Sequence, residues 1–167
     1  ETKIIQVGGK GVRGCIACGR CRENKDGRCV QDDDMLNSLL EKIFAADALL
    51  IGSPTYFAGI NADMKAVIDR TGYVAMANGG LLAGKIGAAV TAVRRGGEIN
   101  VFDTINHLFL ISRMIVPGST YWNMGIGRDI GEVKDDREGL ANMKDLGRTI
   151  DWLGRVIKKS SIPFPAR

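Results

Sequence analysis

Histidine, aromatic residues and long apolar runs are scarce in this sequence of 167 residues. It contains one histidine, and only 6% of its residues are aromatic. His107 falls inside a predicted helix beside Leu108, and the chain carries no nucleophile motif, so we expect a structural role for it. No apolar run approaches the ~20 residues of a membrane-spanning helix, so we expect no membrane partner.

Positive charge is not concentrated in any one stretch of the chain. The formal charge is +4, with 23 basic residues mixed among 19 acidic ones. Proteins that bind nucleic acids usually cluster their basic residues, so the dispersed pattern does not indicate such a partner. With 45% hydrophobic residues, residues 1–167 are expected to form a single cytoplasmic domain with a sizeable core.

All the cysteines of the chain lie between residues 15 and 29. Cys15, Cys18 and Cys21 are separated by two residues each, and Cys29 follows after seven more. Thiolates at this spacing can converge from one tight loop onto a single inorganic core. We expect the loop that carries them to extend over residues 8–34.

Several kinds of site could use these four thiolates. Disulfides require an oxidising compartment, whereas the rest of the chain is typical of a cytoplasmic protein. Zinc sites usually present two separated C-x2-C pairs, and a non-catalytic module stabilised by zinc stays open as an alternative. A two-cluster ferredoxin needs two C-x2-C-x2-C-x3-C-P runs, and this chain has one cysteine set with a different last spacing. The spacing favours a single [4Fe-4S] cluster.

Predicted strands and helices alternate along the sequence. Runs of β-branched and apolar residues predict strands over residues 2–7, 48–52, 85–93 and 114–116. Apolar residues spaced by three and four predict helices after residue 34, from residue 61, over 99–113 and over 137–159. This alternation predicts an α/β fold with a doubly wound parallel sheet, in which the cysteine loop follows the first of these strands.

Three loops are predicted at the carboxyl ends of the strands, where such sheets bind their ligands. Glycine, arginine or aromatic residues distinguish all three. Their candidate binding residues are Ser53, Pro54, Thr55, Tyr56, Phe57 and Gly59 in the first loop, Arg94, Arg95, Gly96 and Gly97 in the second, and Tyr121 and Trp122 in the third. Aromatic walls and close backbone approach suit a flat heterocycle, and arginine suits a phosphate or a negatively charged ring. The loops therefore predict a pocket for a planar cofactor.

Further motifs complete a pattern that spans nearly the whole chain. In order, they are the cysteine run with Asp32–Met35 after it, then Gly52–Phe57, Met64–Arg70, Lys85–Ala89 and Arg95–Gly97. This pattern closely resembles the iron–sulfur flavoproteins within the NADPH-dependent FMN reductase group. The resemblance implies a flavodoxin-like fold in which residues 53–59 cradle the FMN ring and residues 94–97 line its other side. It also implies a [4Fe-4S] cluster on the four cysteines.

The same resemblance implies how the protein works. Electrons would pass from a reduced donor, NAD(P)H or a ferredoxin, through FMN and the cluster to a small-molecule acceptor or a redox partner protein. The flavin carries the chemistry, so no catalytic side chain is required. A homodimer or homotetramer is implied, with flavin and cluster approaching each other across the subunit interface. An NAD(P)H:FMN or quinone reductase without a cluster stays open as an alternative.

The family pattern begins with a strand, a phosphate-binding loop and a helix that have no counterpart after Glu1. We expect them upstream of Glu1 as about 30 residues, the size of half a βαβ unit. The reason is that a flavodoxin-like 2-1-3-4-5 sheet places this strand in its middle. The helix N-terminus that follows it would bind the phosphate of FMN.

Overall fold

The computed structural model describes residues 1–165, which contain both helices and strands. Its elements are α1 (Arg20–Asn24), α2 (Leu36–Ala45), β1 (Ala48–Tyr56), β2 (Gly59–Ile60), α3 (Ala62–Ala77), β3 (Ile86–Val93), α4 (Glu98–Ile111), β4 (Met124–Ile126) and α5 (Arg137–Lys159), with a 3-10 turn at Glu132–Asp135. The predicted α/β class is confirmed. None of the helices in this described part is both long and apolar enough to cross a bilayer.

The sheet has the strand order β2-β1-β3-β4. β1 pairs in parallel with β3, in a register that runs from Ala48 opposite Ile86 to Pro54 opposite Ala92. β4 is parallel to β3, and β2 folds back antiparallel to the end of β1. The sheet is therefore mixed, although its principal strands are parallel and their carboxyl ends lie at one edge.

Helices cover both faces of the sheet, as expected of a doubly wound fold. On one face, the ring of Phe109 from α4 lies so close to Gly87 of β3 that a Cβ at Gly87 would be 2.7 Å from it. On the other face, a Cβ at Gly154 of α5 would lie 3.8 Å from Ile86. Because neighbouring residues of a strand point to opposite faces, Ile86 and Gly87 separate the two layers.

The prediction of a strand over residues 2–7 is wrong. These residues form no strand, and within that segment only Val7 is buried. A strand is stable only when a neighbouring strand accepts its backbone hydrogen bonds, and no strand of the described residues lies beside this segment. The cysteine loop therefore follows an extended segment. The strand expected upstream of Glu1 stays a prediction.

Two other strand boundaries differ from the predicted ones. Residues 114–116 contribute a single bridge, between Ile115 and Ile86, and regular pairing resumes only at β4. Pro117 cannot donate the next backbone hydrogen bond of this ladder, so the pairing stops there. Further along the chain, the side chain of Asn123 donates to the carbonyl oxygen of Ala89 at 3.1 Å. β1 also continues beyond Gly52 to Tyr56, so much of the first predicted loop is strand.

The side chain of Asp136 caps the N-terminus of α5. One carboxylate oxygen accepts from the N–H of Gly139 at 2.9 Å, and the other accepts from the N–H of Ile126 at 2.8 Å. These two hydrogen bonds lower the pKa of Asp136 below its ordinary value of 3.8. The cap therefore joins α5 to β4 while its carboxyl group is ionised.

We expect Asp136→Ala to lower the free energy of unfolding by about 1 kcal/mol at neutral pH, the usual effect of losing an N-cap. Since the folded-state pKa is depressed, this contribution is present above about pH 4 and disappears as pH falls through the folded pKa. Denaturant unfolding at several pH values measures it. Asp135→Ala is the matched control, because Asp135 is exposed and accepts no side-chain hydrogen bond within residues 1–165. Equal stabilities of the two variants would contradict the prediction.

Candidate functional site

The loops that follow β1 and β3 contact each other at the carboxyl edge of the sheet. β1 turns into β2 through Phe57 and Ala58, whose φ angles are 47° and 57°. L-residues rarely adopt this left-handed conformation, and it is concentrated at functional sites. The side chain of Asn100 in α4 donates to the carbonyl oxygen of Ala58 at 3.0 Å. The β1–β2 hairpin is thus held against the start of α4.

Gly97 makes this close approach possible. Its φ is 91°, and a Cβ at this position would lie 2.7 Å from the Cα of Ala58 and 3.4 Å from Cγ2 of Thr55. A side chain at Gly97 would therefore collide with the backbone of the hairpin turn. The neighbouring Gly96 has open space around it.

Three kinds of unused group surround this junction. The hydroxyl of Thr55 is buried and has no hydrogen-bond partner among the described residues. Tyr56 and Phe57 are exposed, although large apolar side chains usually pack away from water. Arg94 and Arg95 are also exposed, and neither pairs with a carboxylate in residues 1–165. An unpartnered hydroxyl, two aromatic rings and free positive charge fit the ring of FMN, which is flat, polar at its edge and negative when reduced.

The other predicted residues of the first loop shape the hairpin. Ser53 is buried, and its hydroxyl accepts from the N–H of Asn61 at 3.2 Å. Pro54 is opposite Ala92 in the parallel register, and Gly59 is opposite Tyr56 across the turn. A role for Ser53, Pro54 and Gly59 in holding a cofactor stays a prediction.

Tyr121 and Trp122 precede β4 instead of following a strand. The ring of Trp122 lies 5.8 Å from that of Phe102 in α4. Asn142 of α5 accepts from the backbone N–H of Tyr121 at 3.0 Å and donates to the carbonyl oxygen of Trp122 at 2.7 Å. These contacts fix the pair against α4 and α5, and its role in cofactor binding stays a prediction.

The cysteines occupy a second region, between the N-terminal segment and α2. Cys15 and Cys18 are exposed, Cys21 lies in α1, and Cys29 follows that helix. Cys21 and Cys29 are half-buried against the core. No three His, Cys, Asp or Glu side chains of residues 1–165 form the arrangement that holds a single metal ion.

The backbone of the cysteine loop turns repeatedly through the left-handed region. Gly19 and Gly27 have φ angles of 73° and 72°, as expected for a loop that wraps closely around a group. Ala17 also has a positive φ, of 53°. Its N–H donates to Sγ of Cys15 at 3.4 Å. A backbone N–H that donates to a cysteine sulfur is a common feature of iron–sulfur sites.

The thiols influence one another electrically. Burial raises the pKa of the Cys21 thiol, and the neighbouring thiols of Cys29 and Cys15 raise it further, against hydrogen bonds from the backbone of Cys21 and Arg22. Cys29 and Cys15 therefore each disfavour negative charge on the sulfur of Cys21. A cation or a positively charged cluster core would offset this effect.

Side chains from α2 and α3 anchor the loop at Cys29 and Gly27. Asn37 of α2 accepts from the N–H of Cys29 at 2.8 Å and donates to its carbonyl oxygen at 2.9 Å. Asn78, which follows α3, accepts from the N–H of Gly27 at 2.9 Å. Arg70 of α3 donates to Sγ of Cys29 at 3.3 Å. Sequence reasoning missed these anchors, although a polar residue at a core-facing helical position is a detectable signal.

Comparison with known proteins identifies the family of this chain. Residues 1–129 match the family model described as NADPH-dependent FMN reductase. An iron–sulfur flavoprotein of Methanocaldococcus jannaschii is 35% identical over an alignment of 166 positions that covers 95% of this chain and 83% of the relative. An iron–sulfur flavoprotein of Methanosarcina thermophila is 30% identical over an alignment of 162 positions that covers 96% of this chain and 82% of the relative.

A solved structure confirms the predicted fold. The flavodoxin-like crystal structure of a WrbA-like protein from Agrobacterium tumefaciens superposes with a TM-score of 0.50 at 18% identity, covering 65% of this chain and 71% of that one. The predicted resemblance and the predicted flavin oxidoreductase activity are therefore confirmed. This chain belongs to the NADPH-dependent FMN reductase family and is a flavodoxin-like, FMN-dependent oxidoreductase.

Proposed function

We propose that this protein passes electrons between a reduced donor and an acceptor through FMN and a [4Fe-4S] cluster. The observation that carries the proposal is the confinement of all four cysteines to one loop that α2 and α3 anchor at Cys29 and Gly27. Cys15, Cys18, Cys21 and Cys29 are the proposed ligands. The names of the two relatives as iron–sulfur flavoproteins support the same assignment.

The spacing of the thiols favours a cluster over zinc. A tetrahedral zinc ion holds four sulfurs about 2.3 Å from one centre, so those sulfurs lie close together. Each thiolate of a [4Fe-4S] cluster binds a different iron, and the four sulfurs stand further apart. Three of the four cysteines follow one another as C-x2-C-x2-C, whereas zinc sites usually use two separated C-x2-C pairs. This spacing along the chain supports a larger inorganic core.

The flavin site would bind FMN through the junction of the two loops. When bound, FMN exchanges two electrons and the cluster exchanges one, so together they connect two-electron donors with one-electron partners. The hydroxyl of Thr55 can hydrogen-bond the polar edge of the ring, and Tyr56 can cover one face of it. Arg94 and Arg95 would stabilise negative charge on the reduced ring. The protein would therefore position the FMN ring and adjust its reduction potential, and no side chain needs to act as an acid or base.

The proposal also names the electron donor and the electron acceptor. NAD(P)H and a ferredoxin are the proposed donors, and a quinone, another small molecule or a redox protein is the acceptor. A homodimer or homotetramer is proposed from the resemblance. Sedimentation analysis of the purified protein measures its assembly, and stopped-flow mixing with each donor measures which one reduces the flavin.

Anaerobic purification tests the cofactor assignment directly. We expect a visible spectrum with flavin bands above a broad iron–sulfur absorbance, and about four irons and four sulfides per FMN, the composition of one such cluster. A yellow protein without iron would identify a reductase that lacks a cluster. A colourless protein with one tightly bound zinc would identify a zinc-stabilised module and would overturn the proposal.

Tyr56→Ala should weaken FMN binding by about two- to tenfold. The ring of Tyr56 is exposed at the hairpin, and an aromatic stacking contact contributes about 0.5–1.5 kcal/mol. Fluorescence titration of the deflavinated protein with FMN measures the change. Tyr73→Ala is the matched control, since Tyr73 is similarly exposed but lies on α3, more than two turns beyond its start. An unchanged affinity in Tyr56→Ala would place the ring elsewhere.

A further inference from the structure

Arg70 is a buried cation whose hydrogen bonds reach both ends of the cysteine loop. The residue is 1% exposed, and arginine is almost never so buried without partners. Its guanidinium donates to the carbonyl oxygen of Arg13 at 3.1 Å, to the carbonyl oxygen of Gln31 at 2.7 Å and to the carboxylate of Asp34. Arg13 precedes the first cysteine and Gln31 follows the last, so one side chain ties the two ends of the loop together.

The Nε donor of Arg70 points at a sulfur atom. Nε lies 3.3 Å from Sγ of Cys29. A neutral thiol is a weak acceptor, whereas a thiolate carries a full negative charge and accepts strongly. Arg70 pairs with Asp34 through a different nitrogen, so the ion pair does not require the contact between Nε and the sulfur. Arg70 is therefore placed to donate a hydrogen bond to the sulfur of Cys29 when that sulfur ligates iron as a thiolate.

We infer that Arg70 is a positioning residue for the sulfur of Cys29, and that its N–H bond raises the reduction potential of the cluster. The inference rests on the proposed function, because it takes the four cysteines as cluster ligands. Reduction adds one negative charge to a cluster. A hydrogen bond to a ligating sulfur, together with a buried positive charge, stabilises that added charge.

Asp34 opposes this effect. Burial acts to raise the pKa of its carboxyl group, but hydrogen bonds from Arg70 and from the backbone of Leu36 and Arg13 outweigh burial and lower it. The side chain is therefore an ionised neighbour of the guanidinium and offsets part of its positive charge. Arg70 and Asp34 should thus shift the cluster potential in opposite directions.

Asn37 provides a control that separates an effect on the reduction potential of the cluster from an effect on the stability of the loop. It holds the backbone of Cys29 on both sides but makes no hydrogen bond to the sulfur among the described residues. A change at Asn37 should loosen the loop without removing a hydrogen bond from a ligand. Loss of bracing alone therefore predicts lower iron occupancy with an unchanged potential for the clusters that remain.

The test is a redox titration of the intact protein, followed by electron paramagnetic resonance, with the FMN of the same sample as an internal reference. Arg70→Lys keeps the charge but loses the planar fork and the bond to sulfur. We expect the ratio of reduced to oxidised cluster to fall about tenfold, or about 59 mV for a one-electron couple. Asp34→Asn should raise the potential, and Asn37→Ala should leave it at the parent value.

An unchanged potential in both Arg70→Lys and Asp34→Asn, or a shift of the same sign in both, overturns the inference. Iron content, FMN content and circular dichroism identify a variant that has not folded. If Arg70→Lys does not fold, the Asp34→Asn variant alone tests the inference. A higher cluster potential then supports it, and an unchanged or lower potential overturns it. A parent protein without iron overturns the cluster assignment and the role of Arg70 with it. That outcome differs from an iron-containing parent whose variants keep its potential.

Discussion

Cys18→Ala is expected to remove nearly all iron and sulfide from the protein while FMN stays bound. Cys18 is exposed, so the substitution leaves the apolar core intact. A cluster that loses one of its four thiolates loses a covalent bond to iron, which the alanine methyl group cannot replace. The hairpin and the Arg94–Gly97 loop, which are proposed to hold the flavin, include no cysteine. Iron, sulfide and FMN analysis per polypeptide measures the result.

Ile16→Ala is the matched control for this substitution. Ile16 lies between Cys15 and Cys18 and is 63% exposed, so its replacement also shortens an exposed side chain in the same loop. We expect this variant to keep the iron of the parent. Full iron content in Cys18→Ala would show that Cys18 is not a ligand. Equal loss of iron in both variants would indicate that the loop is sensitive to any change, irrespective of the thiol.

The helices were the most predictable part of the fold. The helix predicted over 137–159 matches α5, and α3 begins within one residue of its predicted start at residue 61. The structure shows Asn61 to be the cap of α3, since its side chain accepts from the N–H of Asp63 at 3.0 Å. Helices carry their hydrogen bonds within one segment, so local periodicity and caps specify them. This is why sequence alone located them well.

Strand prediction failed where pairing depends on distant residues. Residues 2–7 have the composition of a strand but lack a neighbour within the described chain, and residues 114–116 pair at a single position. Asn123 shows why the sequence could not reveal that residues 114–116 do not form a regular strand. Its side chain donates a hydrogen bond to β3, a contact across 34 positions of the sequence that no local pattern records.

The candidate site was predictable in part for a similar reason. Residue type and spacing alone indicate what glycines and cysteines can do. The sequence therefore indicated the Arg94–Gly97 loop and the cysteine run as candidate sites. Arg70 and Asn37 were not, because their function depends on which loop they face after folding. The left-handed turn at Phe57 and Ala58 was also missed, since neither residue type favours that conformation.

Gly97→Ala should raise the dissociation constant of FMN more than about tenfold. A left-handed φ costs an L-residue about 1–2 kcal/mol, and here the new methyl group would also meet the Cα of Ala58 at 2.7 Å. That contact is with backbone, so the hairpin turn must move away from the loop after β3. Separation of these loops displaces Thr55 and Tyr56, the groups expected at the edge and the face of the ring. The two costs together exceed the 1.4 kcal/mol that corresponds to a factor of ten in affinity.

Gly96→Ala makes this experiment specific, because a Cβ at Gly96 meets nothing within 4 Å and its φ lies outside the left-handed region. Fluorescence titration of both deflavinated variants with FMN should show weakened binding for Gly97→Ala and parental binding for Gly96→Ala. Both variants should keep the iron of the parent, since the substitutions lie far along the chain from Cys29 and its anchors. Parental FMN affinity in Gly97→Ala would mean that the ring does not bind where the hairpin meets the loop after β3. Weakened binding in both variants would mean that the flexibility of the glycine pair, and not the close approach at Gly97, governs affinity.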